Sequence, residues 1–302
     1  MNRCSTTSAI IAGVLILGPL SGLHAQTGNE SYVTIKPGVF YHEELSPGLR
    51  WAAGYERRPS IEAGLSFQRE FWMQATGRGA AVWNPAVNNE YLIDVTADTG
   101  IFVNLLRQRP VPPDAPLDFD PVVFNLGYIS TGATVVTRFD QRLKEGIIGA
   151  GVNFIYRPLG LDGDRRFLQQ LIPTVHLEYT YNIPVISELR DGFEAGSKNH
   201  TQLYLDTYWH FRLSGQRVPP WMQPARFDVN LQYFTKFSLE EELEEITGRR
   251  GLYYSFDLGY EITGMLPWLR YVFLRYSDGQ NQLMAEDHEQ FLLGITLGST
   301  RY

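Results

Sequence analysis

His176 and Glu178 stand two residues apart, and Asp206 and His210 four apart, each pair on the polar side of a segment that alternates in polarity. A histidine oriented by a carboxylate is half of a hydrolytic apparatus, but it needs a hydroxyl or thiol nucleophile beside it. Serines and threonines are scattered without a distinguishing motif, and there is no GxSxG. The same pairs could hydrogen-bond within a wet interior or hold a divalent ion. Glu240, Glu241 and Glu242 with Glu244 and Glu245 lack the ligand spacing of a calcium cage and read as a solvated acidic loop. No metal site and no cofactor is expected.

The two His–carboxylate pairs lie in segments of period two, so the elements that must position them are β-strands. Residues 61–73, IEAGLSFQREFWM, show the pattern. Ile61, Ala63, Leu65, Phe67, Phe71 and Met73 are odd and apolar, with Arg69 the exception; Glu62, Ser66, Gln68 and Glu70 are even and polar. GLRWAAGYER sets Leu49, Trp51, Ala53 and Tyr55 against Arg50 and Glu56. YLIDVTADTGIFVNL sets Tyr91, Ile93, Val95, Ala97, Ile101, Val103 and Leu105 against Asp94 and Asp98. Segments around 148–156, 175–181, 203–213, 227–237 and 252–262 repeat it, the last four carrying Glu178, Asp206, Arg212, Asp228, Lys236, Asp257 and Glu261 on their polar faces. Weaker stretches begin at Tyr32, Pro121, Leu269 and Gln290. The total is about twelve strands, most of 10–14 residues, whereas soluble β-proteins use strands of about 5–6 and a tilted bilayer crossing takes about 9–11.

Composition bounds the rest. Of 302 residues, 44% are hydrophobic and 20% charged, and mean hydropathy is -0.20. A barrel whose lipid face is diluted by a polar interior gives such values as readily as a soluble chain does. The N-terminus, MNRCSTTSAIIAGVLILGPLSGLHAQ, has one basic residue, an apolar run from Ala9 to Leu17 and a small-residue end at Ala25. It reads as a secretory signal peptide of residues 1–25, leaving 26–302 as one domain. Cys4, the single cysteine, falls within it, so the exported chain is expected to have no thiol or disulfide. Without Arg3 the chain carries 25 basic against 33 acidic residues, a net charge of -8 and no basic run, so nucleic acid is excluded as a partner. Export without cysteine suits a bacterial envelope protein, in which the two glycosylation sequons, at Asn29 and Asn199, read as accidental.

On these features the chain resembles the outer-membrane β-barrel class of Gram-negative bacteria, which characteristically ends in an aromatic residue, here Tyr302. The parity of Phe291, Leu293, Ile295 and Leu297 calls for a bulge near Gly298 to bring that terminal ring into register. The resemblance implies a transmembrane antiparallel barrel of about twelve strands in the outer membrane, with its lipids, the barrel-assembly machinery and small solutes as partners. Starting upward, it places the short links 58–60 and 264–267 on the periplasmic side. The segments 74–90, 184–199, 239–250 and 278–288 become outer loops, and 131–142 joins a loop. Arg69 must then reach an interface near the outer end of its strand, because a basic residue at the bilayer midplane costs about 2–4 kcal/mol.

The polar face would line the interior: Arg50, Glu56, Glu62, Glu70, Asp94, Asp98, Glu178, Asp206, Arg212, Asp228, Lys236, Asp257 and Glu261. Charged rings of this kind set solute preference in a pore, or pair across the interior and block it. A porin-like channel or transporter is the leading reading. The alternatives are an outer-membrane lipid hydrolase built on His176, Glu178, Asp206 and His210, and a non-conducting receptor using loop residues such as Trp83 and Trp221.

Overall fold

The computed structural model describes residues 29–41, 45–57, 69–83, 91–108, 122–158, 170–187, 199–213, 218–262, 269–280, 282–283 and 289–297. The segment read as a signal peptide, the link 58–60, Glu62 and Tyr302 lie outside them.

Long runs of alternating side chains form β1 (Asn29–Tyr41), β2 (Leu45–Arg57), β3 (Arg69–Val82), β4 (Tyr91–Gln108), β5 (Val122–Asp140) and β6 (Glu145–Arg157). They continue as β7 (Thr174–Ser187), β8 (His200–Arg212), β9 (Ala225–Phe237), β10 (Arg250–Glu261), β11 (Leu269–Gly279) and β12 (Gln290–Leu297). Each strand pairs antiparallel with the next. β1 pairs with β12 through Ile35 opposite Leu297 and Tyr41 opposite Phe291, closing a twelve-strand barrel. Closure leaves no edge strand, so backbone groups along the wall find partners within it. Because the strand number is even, β1 begins and β12 finishes at the same end of the barrel, here called the terminal end.

The two faces are inverted relative to a soluble protein. Val152 is 58% exposed on the outside of β6, while its neighbour Asn153 is 2% exposed on the inside. Ile35, Val95, Ile101, Val135, Leu258 and Leu293 are likewise exposed, and Asp94, Glu178, Gln202 and Ser277 are buried. A contiguous apolar exterior of this extent is solvated by hydrocarbon rather than water. On it, rings from successive strands meet in sequence: Phe211–Phe227, Phe227–Phe256, Phe256–Tyr254, Tyr254–Tyr276 and Tyr276–Phe291, with centroids 4.9–6.3 Å apart. None of the described helices is long and apolar enough to cross a membrane; the strands do the crossing. Val152, midway along β6, is therefore expected to reject charge. Val152→Arg should cost about 2–4 kcal/mol of folding free energy in lipid vesicles, measured by urea titration; a cost below 1 kcal/mol would place this face against water.

Four expectations need correction. Residues 131–142 do not form a loop: 131–140 complete the 19-residue β5, whose β-branched Thr131, Thr134, Val135, Val136 and Thr137 favour a strand. Their alternation is hidden because Val136 points inward and Thr137 outward. The turn that follows is tight, with the Asp140 carboxylate accepting the backbone N–H groups of Lys144 (2.7 Å) and Glu145 (2.9 Å). Second, β3 continues through 74–82, a stretch read as outer loop, so Arg69 stands at its start among the described residues. Third, the acidic run 241–247 is a short helix, α1 (Glu241–Thr247). Fourth, a register shift between Tyr91 and Ile93 turns Tyr91 away from the lipid face, and its hydroxyl meets a loop inside the barrel.

Candidate functional site: the barrel interior

Inward parity brings together most of the charged residues singled out above. Arg50, Asp94, Asp98, Glu178, Asp206, Arg212, Asp228, Lys236, Asp257 and Glu261 lie on the same side of the wall as the buried polar positions. Glu56 and Glu70 belong to β2 and β3. The interior also holds Lys36, Arg78, Arg138, Glu145, Arg226 and Arg275, which sequence inspection missed. They fall in the weaker strands, in the hidden part of β5, beyond the end assigned to β3, or just before the stretches read at 148–156 and 227–237. The lining is not wholly polar: Ile147, Ile155, Phe234, Phe273 and Leu292 are buried there too.

Toward the end opposite the termini the charges form a continuous ladder. Arg78 Nε donates to Asp94 Oδ2 at 2.6 Å, and Arg138 Nε reaches Asp94 Oδ1 at 3.3 Å. Arg138 Nη1 reaches Glu178 Oε1 at 3.4 Å. Gly149 faces inward nearby, and a Cβ there would collide with the Asn182 side-chain oxygen and a Val136 methyl, so only glycine leaves room for this packing. Glu178, Thr180, Asn182 and Gln202 are fully buried. At their level the interior is filled by side chains.

The connection from β11 to β12 completes that closure. β11 ends at Gly279, whose φ of 116° is left-handed and whose Cβ, if present, would strike the Leu252 carbonyl. Gln280 N–H donates to that carbonyl at 3.0 Å. The chain then drops inward. Gln282 Oε1 accepts from Arg138 Nη1 (2.9 Å) and Gln202 Nε2 (2.7 Å), and Gln282 N–H donates to the Tyr91 hydroxyl (3.2 Å). Gln282 and Leu283 are 3% and 2% exposed. A segment expected to stand outside as loop therefore supplies two residues to the interior.

Toward the terminal end the pairs are wetter. Arg212 Nη2 bonds Glu261 Oε2, Arg275 bonds Asp257 through two nitrogens, and His210 Nδ1 bonds Asp228 Oδ1. All six side chains retain some exposure.

The proposed hydrolytic pairs are not assembled as their spacing suggested. His210 takes its carboxylate from Asp228, its register partner on β9, rather than from Asp206. Four strand residues span about 13 Å, too far for a hydrogen bond. Asp206 instead accepts from Asn230 Nδ2 and stands opposite His176, while Glu178 turns to Arg138. Among the described residues no Ser or Thr hydroxyl bonds either histidine, and no group of three potential metal ligands is present. Trp83 and Trp221 are 74% and 69% exposed and do not fold inward as a plug.

No protein-family model matches the sequence, and no curated protein matches it. Solved structures that align with it are bacterial outer-membrane proteins. The translocator domain of autotransporter NalP from Neisseria meningitidis is 10% identical with a TM-score of 0.35, over 92% of this chain and 90% of that one. OprD from Pseudomonas aeruginosa is 9% identical with a TM-score of 0.32 (91% and 96%), and OmpF from Salmonella typhi 11% identical with a TM-score of 0.31 (90% and 98%). At those values none of them carries an argument about function. The architecture of an outer-membrane β-barrel stands instead on the closed antiparallel wall, the outward apolar face and the inward charges of this chain itself.

Proposed function

We propose that this protein is an outer-membrane channel for small polar solutes, closed in the conformation described by the β11–β12 connection. The observation that carries the reading is Arg78: its side chain points inward and bonds the buried Asp94, yet is 51% exposed. An inward guanidinium with that exposure requires solvent space inside the wall. The partly exposed pairs near the terminal end also call for water inside the wall, and Arg138, Gln202 and Gln282 form the packed layer that would close the path. The assembly machinery of the outer membrane and its lipids are the partners such a barrel needs, and the solute meets mixed charge throughout.

A sealed structural barrel is the second reading, favoured by the fully buried Glu178, Thr180 and Gln202. Planar-bilayer recording of the detergent-purified protein separates them. Discrete ohmic openings are expected; a barrel that inserts, resists heat and never conducts overturns the channel. Release of fatty acid from phospholipid by that silent barrel would instead support the hydrolase.

A further inference from the structure

Four places in the wall set like charges directly opposite each other: two pairs of carboxylates, Glu30 with Glu56 and Asp228 with Asp257, and two pairs of cations. Lys36 of β1 faces Arg50 of β2, and Arg212 of β8 faces Arg226 of β9. Like charges opposite one another destabilise a sheet, so their presence on the inner face needs a physical reason. Arg212 has one in Glu261. The other three cations are linked to Arg275 through two inward side chains, Tyr271 and Asp257. Lys36 Nζ lies 5.4 Å from the Tyr271 ring centroid, and the Arg226 guanidinium carbon lies 3.8 Å from the same centroid. Arg275 shares the inner face of β11 with Tyr271 and holds Asp257, which also feels the charges of Lys36 and Arg50.

The carboxylates nearby are shared. Asp228 bonds His210 and stands 4.0 Å from Arg226, and Asp257 serves Arg275 first. Each cation has contacts within the barrel. The feature in question is how much positive charge is gathered in one enclosed place, in a chain whose overall charge is -7. A cavity with low-dielectric walls focuses such a field on a small ion of opposite sign.

We propose that Lys36 and Arg226 beside Tyr271, with Arg50 and Arg275 beside Asp257, form a binding site for a small oxyanion, a carboxylate or a phosphate. Planar guanidinium groups match either group with paired hydrogen bonds, and the lysine adds a compact point charge. A bound anion would relieve the repulsion between the facing Lys36 and Arg50. The site lies on the terminal side of the Gln282 layer, so a bound anion would wait below the closure. Only this last point rests on the channel reading; the site requires the barrel alone.

The test is thermal unfolding of the detergent-purified barrel, followed by its heat-dependent shift in gel mobility, in inorganic phosphate, in acetate, and in chloride of matched ionic strength. A ligand that binds only the folded state raises the midpoint with concentration. Phosphate and acetate should each raise it saturably above chloride; phosphate acting alone supports the site and narrows the ligand to phosphate. The double variant Lys36→Met, Arg226→Met should still fold and lose the shift, and Lys36→Met alone should move the half-saturating concentration up at least about tenfold, the loss of one charge-assisted contact. No shift in the wild type, or a full shift in the double variant, overturns the proposal. A barrel that responds to phosphate but never conducts keeps the site and removes the channel. One that conducts but ignores both anions does the reverse.

Discussion

The double variant Gln282→Ala, Leu283→Ala should convert brief or rare openings into long ones. Gln282 Oε1 accepts from a charged donor, Arg138, and from a neutral one, Gln202. Such bonds contribute about 1.5–3 and 0.5–1.5 kcal/mol respectively, and burying the Leu283 side chain adds about 1.5–3 kcal/mol. Water entering the vacated layer offsets part of this. Retention of even about 2.8 kcal/mol is a hundredfold shift in the closed-to-open ratio. Strand pairing is untouched, since both residues lie between β11 and β12, so heat resistance should be preserved. Single-channel recording reads the outcome. Unchanged open-state occupancy in a correctly folded double variant would mean that the constriction is elsewhere.

The second large effect is on stability. Arg138→Met should lower the unfolding free energy by about 3–5 kcal/mol, because it leaves buried carboxylates without their counter-charge. Asp94 keeps Arg78, but Glu178, fully buried, loses the cation bonded to it. Removing both charges is different. Arg138→Met combined with Glu178→Leu should recover most of the loss, as replacing a buried pair by apolar groups of similar size is often neutral. Urea titration of the vesicle-folded protein checks both. A single-variant cost below 1 kcal/mol would show that this layer exchanges freely with water, which would favour an open lumen over a closed one.

The barrel was legible where one solvent lies on each face. In β8, Leu203, Leu205, Trp209 and Phe211 alternate with Gln202, Asp206, His210 and Arg212, and the strand runs as the alternation says. In β5 it was not, because the interior there is a packed layer rather than water, and Val136 can lie inside as comfortably as Thr134. A position that faces neither lipid nor solvent is not constrained in polarity, so periodicity fades where the lumen is most tightly filled. Arg138, the centre of the ladder, went unnoticed for that reason.

Pairings across strands were beyond the sequence for a different reason. Period two assigns a side chain to a face but says nothing about its neighbour on the next strand, which depends on register. His210 therefore had a carboxylate partner that spacing could not name, and the facing cations Lys36–Arg50 and Arg212–Arg226 are visible only once the strands are aligned. By itself the chain determined its strand length, its inverted faces and a charged interior, since each depends on local alternation alone. Tertiary structure decided which charges meet, which layer is packed, and that Gln282 joins Arg138 and Gln202 in it, because those depend on where distant strands and one returning loop come together around a shared axis.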